Sequence, residues 1–177
     1  MRCLLASEAE TWLLNHKLGH ALSSRPPKPN VFGNFGIMAA LPLPGKHQQD
    51  LARRIIRWIG AFDSALLWLT DWPFYQPEEM AIIDGLRRAH GESRRLIEAP
   101  VILFEGSEGQ ELTGWLYLMI AFGWDAYLFA SPFGGRMIQT SHHDVISIFA
   151  NTQSDFDAAQ KIVDAFNLKV HRTTLPT

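Results

Sequence analysis

The sequence predicts one αβ domain, two or three layers deep. Its sheet is mixed, with six or seven strands and antiparallel hairpins near the C-terminus. Three observations carry this expectation. Short apolar runs alternate with amphipathic helical stretches up to about residue 130. Capping and turn residues separate those segments. The length, 177 residues, supports a single core without staples. Alternation of strand and helix implies crossover connections and hence a largely parallel sheet.

The elements follow in order. Arg2–Ala6 reads as a short strand, and Ser7-Glu8-Ala9-Glu10 matches a capping box that opens a helix to about Leu18. Residues 23–30 begin SSRPPKP, whose prolines remove donors and fix φ, so a flexible loop is expected. Asn34–Leu41 reads as a strand. His47–Ile59 is an amphipathic helix: Leu51, Ala52, Ile55, Ile56 and Ile59 share one face, and Arg53, Arg54 and Arg57 lie on the other. Ala65–Thr70 is a continuous apolar run, as in a strand covered on both faces.

Pro77-Glu78-Glu79 opens the next helix, since proline suits its first position and acids suit its positive end. Met80, Ile83 and Leu86 form its apolar stripe, and Gly91 can close it. Val101–Glu105 is a second buried strand. Ser107-Glu108-Gly109-Gln110 resembles another capping box, for a helix to about Phe122 that is apolar nearly all round. Three short strands follow at Ala126–Ala130, Arg136–Thr140 and Val145–Phe149, joined by turns at Pro132–Gly135 and Ser141–Asp144. Ser154 is the expected cap of a final helix bearing Phe156, Ala159, Val163 and Phe166 on its core face. Residues 168–177 read as a loose or weakly paired tail.

Composition excludes several classes. Apolar residues are 47% and charged residues 19%, a mixture that excludes disorder. The net charge of −2 lacks the footprint of a nucleic-acid binder. One cysteine, Cys3, excludes an internal disulfide and a cysteine-built metal site. The stretch 112–130 approaches the roughly 20 residues of a membrane span, but Asp125 interrupts it at a cost that lipid does not tolerate well. With no signal-like h-region near the first residues, the expectation is a cytoplasmic protein, with no membrane and no nucleic-acid partner.

If the sheet were parallel, the polar residues would divide into two groups. Asp71, Glu105 and Ser107, with Glu108 near, would share the carboxyl edge, where ligands of open α/β sheets bind. Two carboxylates there suit Mg²⁺ or acid–base work, although strand ends and helix caps explain them without a site. Asp125, His142, His143 and Asp144 would gather at the opposite edge, a donor set that suits zinc or another transition metal. His142 and His143 are adjacent, so only a turn lets both reach one ion. Ordinary turn chemistry also accounts for Ser141, the histidines and Asp144. A nucleophilic triad with Ser141 lacks the surrounding G-x-S-x-G elbow.

Other motifs are weaker. His16 and His20 have metal-pair spacing, but Lys17 stands where the metalloprotease pattern needs glutamate. Neither G-x-G-x-x-G nor a P-loop occurs, and no cofactor is expected. The runs Arg53/Arg54/Arg57 and Arg87/Arg88/Arg94/Arg95 suit a phosphate or an acidic partner, or simply form solvated helix faces. Trp72, Phe74 and Tyr75 follow a strand, beside Asp71, and loop aromatics are enriched at interfaces.

The segments LWLTDW (67–72), GLRRAHGESRRLIEAPVILFE (85–105), GWDAYLFA (123–130) and SHHDVISIF (141–149) together resemble a family of small uncharacterised bacterial proteins. The resemblance implies a bacterial origin and carries no activity. The first functional expectation is a non-enzymatic interaction module, such as an immunity or accessory protein of a conflict system. It would hold an unidentified protein partner through Asp71, Trp72, Phe74 and Tyr75. The alternatives are a metal-dependent hydrolase built on Asp125, His142, His143 and Asp144, and a small-molecule sensor at the sheet edge.

Overall fold

A computed structural model describes residues 1–18, 34–42, 45–72, 76–132 and 134–174. In chain order the elements are β1 (Arg2–Leu4), α1 (Ala6–Asn15), β2 (Phe35–Ala40), α2 (Lys46–Ile59), β3 (Ser64–Asp71), α3 (Pro77–Ala89) and β4 (Val101–Glu105). A 3₁₀ turn (Gly106–Glu108) leads to α4 (Gly109–Phe122), β5 (Asp125–Ser131), β6 (Met137–Ser141), β7 (Val145–Ala150), α5 (Gln153–Ala165) and β8 (Val170–Thr174). The proline-rich stretch 23–30 lies outside the described residues.

The eight strands form one sheet in the order β1-β4-β3-β5-β6-β7-β2-β8. Every neighbouring pair is antiparallel. This corrects both the strand count and the parallel sense. The strands joined through α1, α2, α4 and α5 do run the same way, as a crossover requires. None of them are neighbours, however: β3 lies between β4 and β5, and β2 lies between β7 and β8. An interposed antiparallel strand turns each crossover into a ladder of the opposite type. The tail after Asn167 supplies β8, an edge strand on β2.

Strand alternation sorts the side chains into two cores. Ala65, Leu67, Leu69, Ile102, Phe104, Leu128, Ile138 and Ile148 face a helical layer made of α2, α4 and α5, with Ile83 of α3. Leu66, Trp68, Val101, Leu103 and Phe129 face α1 through Ala9, Trp12 and Leu13. The domain therefore has three layers, with the second helical layer supplied by α1. The expected buried run of β3 is covered on both sides.

Several caps differ from the sequence expectation. Helix α1 begins after Leu5, whose N–H donates to Glu8, so the acid caps the helix without Ser7. Glu108 accepts from the Glu105 N–H at 2.8 Å across the 3₁₀ turn, replacing the expected Ser107 cap. Thr152, not Ser154, caps α5, its hydroxyl accepting from the Asp155 N–H. The apolar stretch 112–130 breaks at Gly123, which adopts φ 63° and separates α4 from β5. Among the described residues, no helix is long and apolar enough to cross a membrane.

Two arginines act as internal ties. Arg87 is 1% exposed and donates to the carbonyls of Arg95 and Ala99. It holds the α3–β4 connection and is no part of a solvated face. Arg136 donates to the carbonyls of Trp58 and Ile59 at the C-terminus of α2, and to Asp155 at 2.6 Å. It thus joins the end of α2 to the start of α5. Burial works to raise the Asp155 carboxyl, but the bonds from Arg136 and Thr152 and the Arg136 charge outweigh it and hold Asp155 below its ordinary value of 3.8.

A depressed carboxyl stabilises the fold above its unfolded pKa and loses that contribution as pH falls through the folded value. Asp155→Asn is therefore expected to lower the melting temperature at neutral pH. The difference from wild type should shrink as pH falls below 3.8, in thermal melts followed by circular dichroism. A difference that stays constant down to the acid limit would remove the ion pair as its cause.

Candidate functional site

The β3–β5 ladder places Asp71 directly opposite Asp125, after a bulge between Leu69 and Asp71. The β3–β4 ladder places Glu105 opposite Ser64, at the other end of β3. Asp71 therefore leaves the group predicted for it and joins the group of Asp125. Glu105 and Asp125 remain at opposite rims, separated by α4, as a crossover helix requires.

The third member comes from the β6–β7 hairpin. The Asp144 N–H donates to the Ser141 carbonyl at 3.1 Å, and Asp144 adopts φ 56°. A turn followed by one left-handed residue is a common three-residue hairpin loop. It carries His142 over the start of β5. The backbone N–H of His142 donates to Asp125 Oδ1 at 2.6 Å, and His142 Nδ1 lies 2.9 Å from the same oxygen. Asp125 thus orients the imidazole through both its backbone and its ring. One ligand atom each from Asp71, Asp125 and His142 lie within 4.8 Å of one another. Asp71 is exposed, while the other two are half-buried.

The turn divides its other residues. His143 lies against His142, with ring centroids 4.0 Å apart and the planes tilted by 47°, but is not among the three grouped residues. Asp144 also stands outside them and uses its carbonyl to accept from the Leu41 N–H. The Ser141 hydroxyl accepts from the His143 N–H at 3.4 Å. These contacts follow from turn geometry.

Tyr127 was not foreseen. It lies two residues along β5 from Asp125, on the same sheet face. Its hydroxyl accepts from Gln139 at 3.2 Å. Burial, and then the Asp125 charge, push the phenol above its ordinary value of 10.0. The site therefore has a phenol that stays protonated beside a carboxylate. The only sequence signal was its i, i+2 spacing from Asp125.

The proposed interface residues fare differently. Trp72 packs against Trp124, with ring centroids 6.0 Å apart, and joins the edge of the main core. Phe74 and Tyr75 lie outside the described residues. Among the described residues His16 bonds the Trp12 carbonyl and stacks on that indole, while its expected partner His20 falls outside them.

No family model, curated protein or solved structure matches this chain.

Trp72→Ala should expose part of the indole cluster and cost about 2 kcal/mol, less than the 3–5 typical of a fully buried tryptophan. Denaturant melts would read this as a lower midpoint. An unchanged midpoint would show that the Trp72–Trp124 contact carries no stability.

Proposed function

We propose that this protein binds a divalent transition-metal ion through Asp71, Asp125 and His142, and that the bound ion serves hydrolysis. The observation that carries this reading is the convergence of the three ligand atoms, drawn from the ends of two adjacent strands and the β6–β7 turn, within 4.8 Å. One imidazole and two carboxylates suit Zn²⁺, Mn²⁺ or Fe²⁺. Like charges directly opposite in a ladder repel, and a cation between Asp71 and Asp125 would offset that cost. The bond from the His142 backbone N–H to Asp125 holds the two side chains near one another before any ion binds. A metal of this kind lowers the pKa of a bound water to about 7 and so supplies hydroxide at neutral pH.

Calorimetric titration of chelator-treated protein with Zn²⁺ and Mn²⁺ tests this reading. Asp71→Ala is the informative variant, because Asp71 is exposed and stands outside the Asp125–His142 bond. Its affinity should fall at least about tenfold, equivalent to about 1.4 kcal/mol, with an unchanged thermal melt. Equal affinity in the variant, or no binding by folded wild type at about millimolar metal, would overturn the proposal.

The interaction-module reading keeps one specific support. Ile82 and Leu86 lie one turn apart on α3 and are 47% and 37% exposed, and Ile97 in the following connection is 71% exposed. Large exposed apolar side chains are the kind of feature a partner protein would cover. Under this reading, Ile82→Lys with Ile97→Lys abolishes capture of a partner from host lysate without lowering the melting temperature. Retained capture would exclude these residues as the contact.

A further inference from the structure

The arginine row of α2 borders two open grooves on the helical side of the domain. The first lies between α2 and α4, has a volume of about 560 Å³, and is lined by Arg53, Arg57, Gln49, Gln110 and Tyr117, with Ile56 and Gly114 as its small apolar part. The second, about 510 Å³, shares Ile56, Arg57 and Gln110 and continues over Phe62 to Ser107. Volumes of this size suit small-molecule ligands. No acidic residue lines either groove. Among the described residues, no carboxylate lies within ion-pair distance of Arg57, whereas Arg53 pairs with Asp50 and Arg54 lies over the Phe166 ring. The Arg57 charge is therefore available where the two grooves meet.

Gly114 adds an independent observation. Glycine inside a helix costs about 1 kcal/mol relative to alanine, yet a Cβ at Gly114 would meet nothing within 4 Å. Packing within the protein does not require glycine at this position. The space a longer side chain would take there belongs to the α2–α4 groove.

We infer that these joined grooves bind a phosphate monoester of an aromatic or apolar alcohol. The phosphate is held by Arg57 and Gln110 where the grooves meet, and the body lies in the α2–α4 groove over Ile56, beside Tyr117 and Gly114. The fork geometry of the Arg57 guanidinium suits phosphate oxygens, and the Gln110 amide adds a neutral donor beside it. The whole chain carries −2, so this positive potential is local to the α2 face. The grooves reach Ser107, just beyond Glu105, at the sheet end opposite Asp71 and Asp125. The inference is thus separate from the metal reading.

Titration by calorimetry with phenyl phosphate and with inorganic phosphate, on the full chain, tests it. Phenyl phosphate should bind at least about tenfold more tightly than inorganic phosphate. Arg57→Ala should weaken both by about tenfold or more, while the thermal melt stays unchanged. Gly114→Leu should block phenyl phosphate and leave inorganic phosphate binding intact, with a melting temperature equal to or above that of wild type. Failure of both probes to bind at about 10 mM, or undiminished binding in Arg57→Ala, overturns the inference. Equal affinity for the two probes, or phenyl phosphate binding that survives Gly114→Leu, overturns the placement of the body in the α2–α4 groove.

Discussion

The antiparallel ladder between β3 and β5 is the constraint on which the rest of the molecule depends. It runs from Ser64 opposite Ser131 to Asp71 opposite Asp125, near the middle of the sheet. Ala65, Leu66, Leu67, Trp68 and Leu69 are all nearly inaccessible to solvent, so the strand fills both cores at once. A one-residue slip would exchange the two faces of β3 and bury the wrong set. The register is therefore strongly specified, and the ends of the ladder are specified with it. That is why two acids distant in sequence face each other at one rim.

The interposed strands follow from the same packing. A strand–helix–strand crossover leaves room between its two strands when the helix packs across more than one strand. Here α4 covers the gap between β4 and β5 that β3 fills, and α5 covers the gap between β7 and β8 that β2 fills. The helical layer is knit by polar ties as well as by apolar contact. Arg136 satisfies carbonyls at the end of α2 and the carboxylate at the start of α5, and the Trp58 indole donates to the Asp155 carbonyl. Buried polar groups cost free energy unless paired, so these contacts set the relative placement of the helices.

The polar features separate onto distinct parts of the surface. Asp71, Asp125, His142 and Tyr127 gather at the rim formed by β3, β5 and the β6–β7 turn. The Arg53–Arg57 row faces the grooves flanking α2. Of the second arginine run only Arg87 is consumed internally, by two carbonyls, while Arg94 pairs with Glu92 and the Cys3 carbonyl and Arg95 with Glu98 at the surface. A charge run in sequence thus had two different fates, set by which face of the chain met the core.

The amino-acid sequence alone determined most of the elements, because each depends on local physics; β8, in the stretch read as a loose or weakly paired tail, is the exception. The 3.6-residue pattern of Leu51, Ile55 and Ile59, the proline and acids at 77–79, and the apolar runs at 65–69 and 101–104 correspond to α2, α3, β3 and β4. The helix end near Phe122 and the turn at 141–144 were legible for the same reason. Strand order was decided only in three dimensions, because pairing joins residues that no local signal connects. Asp71 was assigned to Glu105 by the parallel assumption and belongs with Asp125 by the ladder. Of the three side chains that converge at the rim, Asp125 and His142 could be read as candidates from type and turn spacing. The arrival of Asp71 beside them required the register, since the grouping of side chains is a matter of distance between strands and not along them.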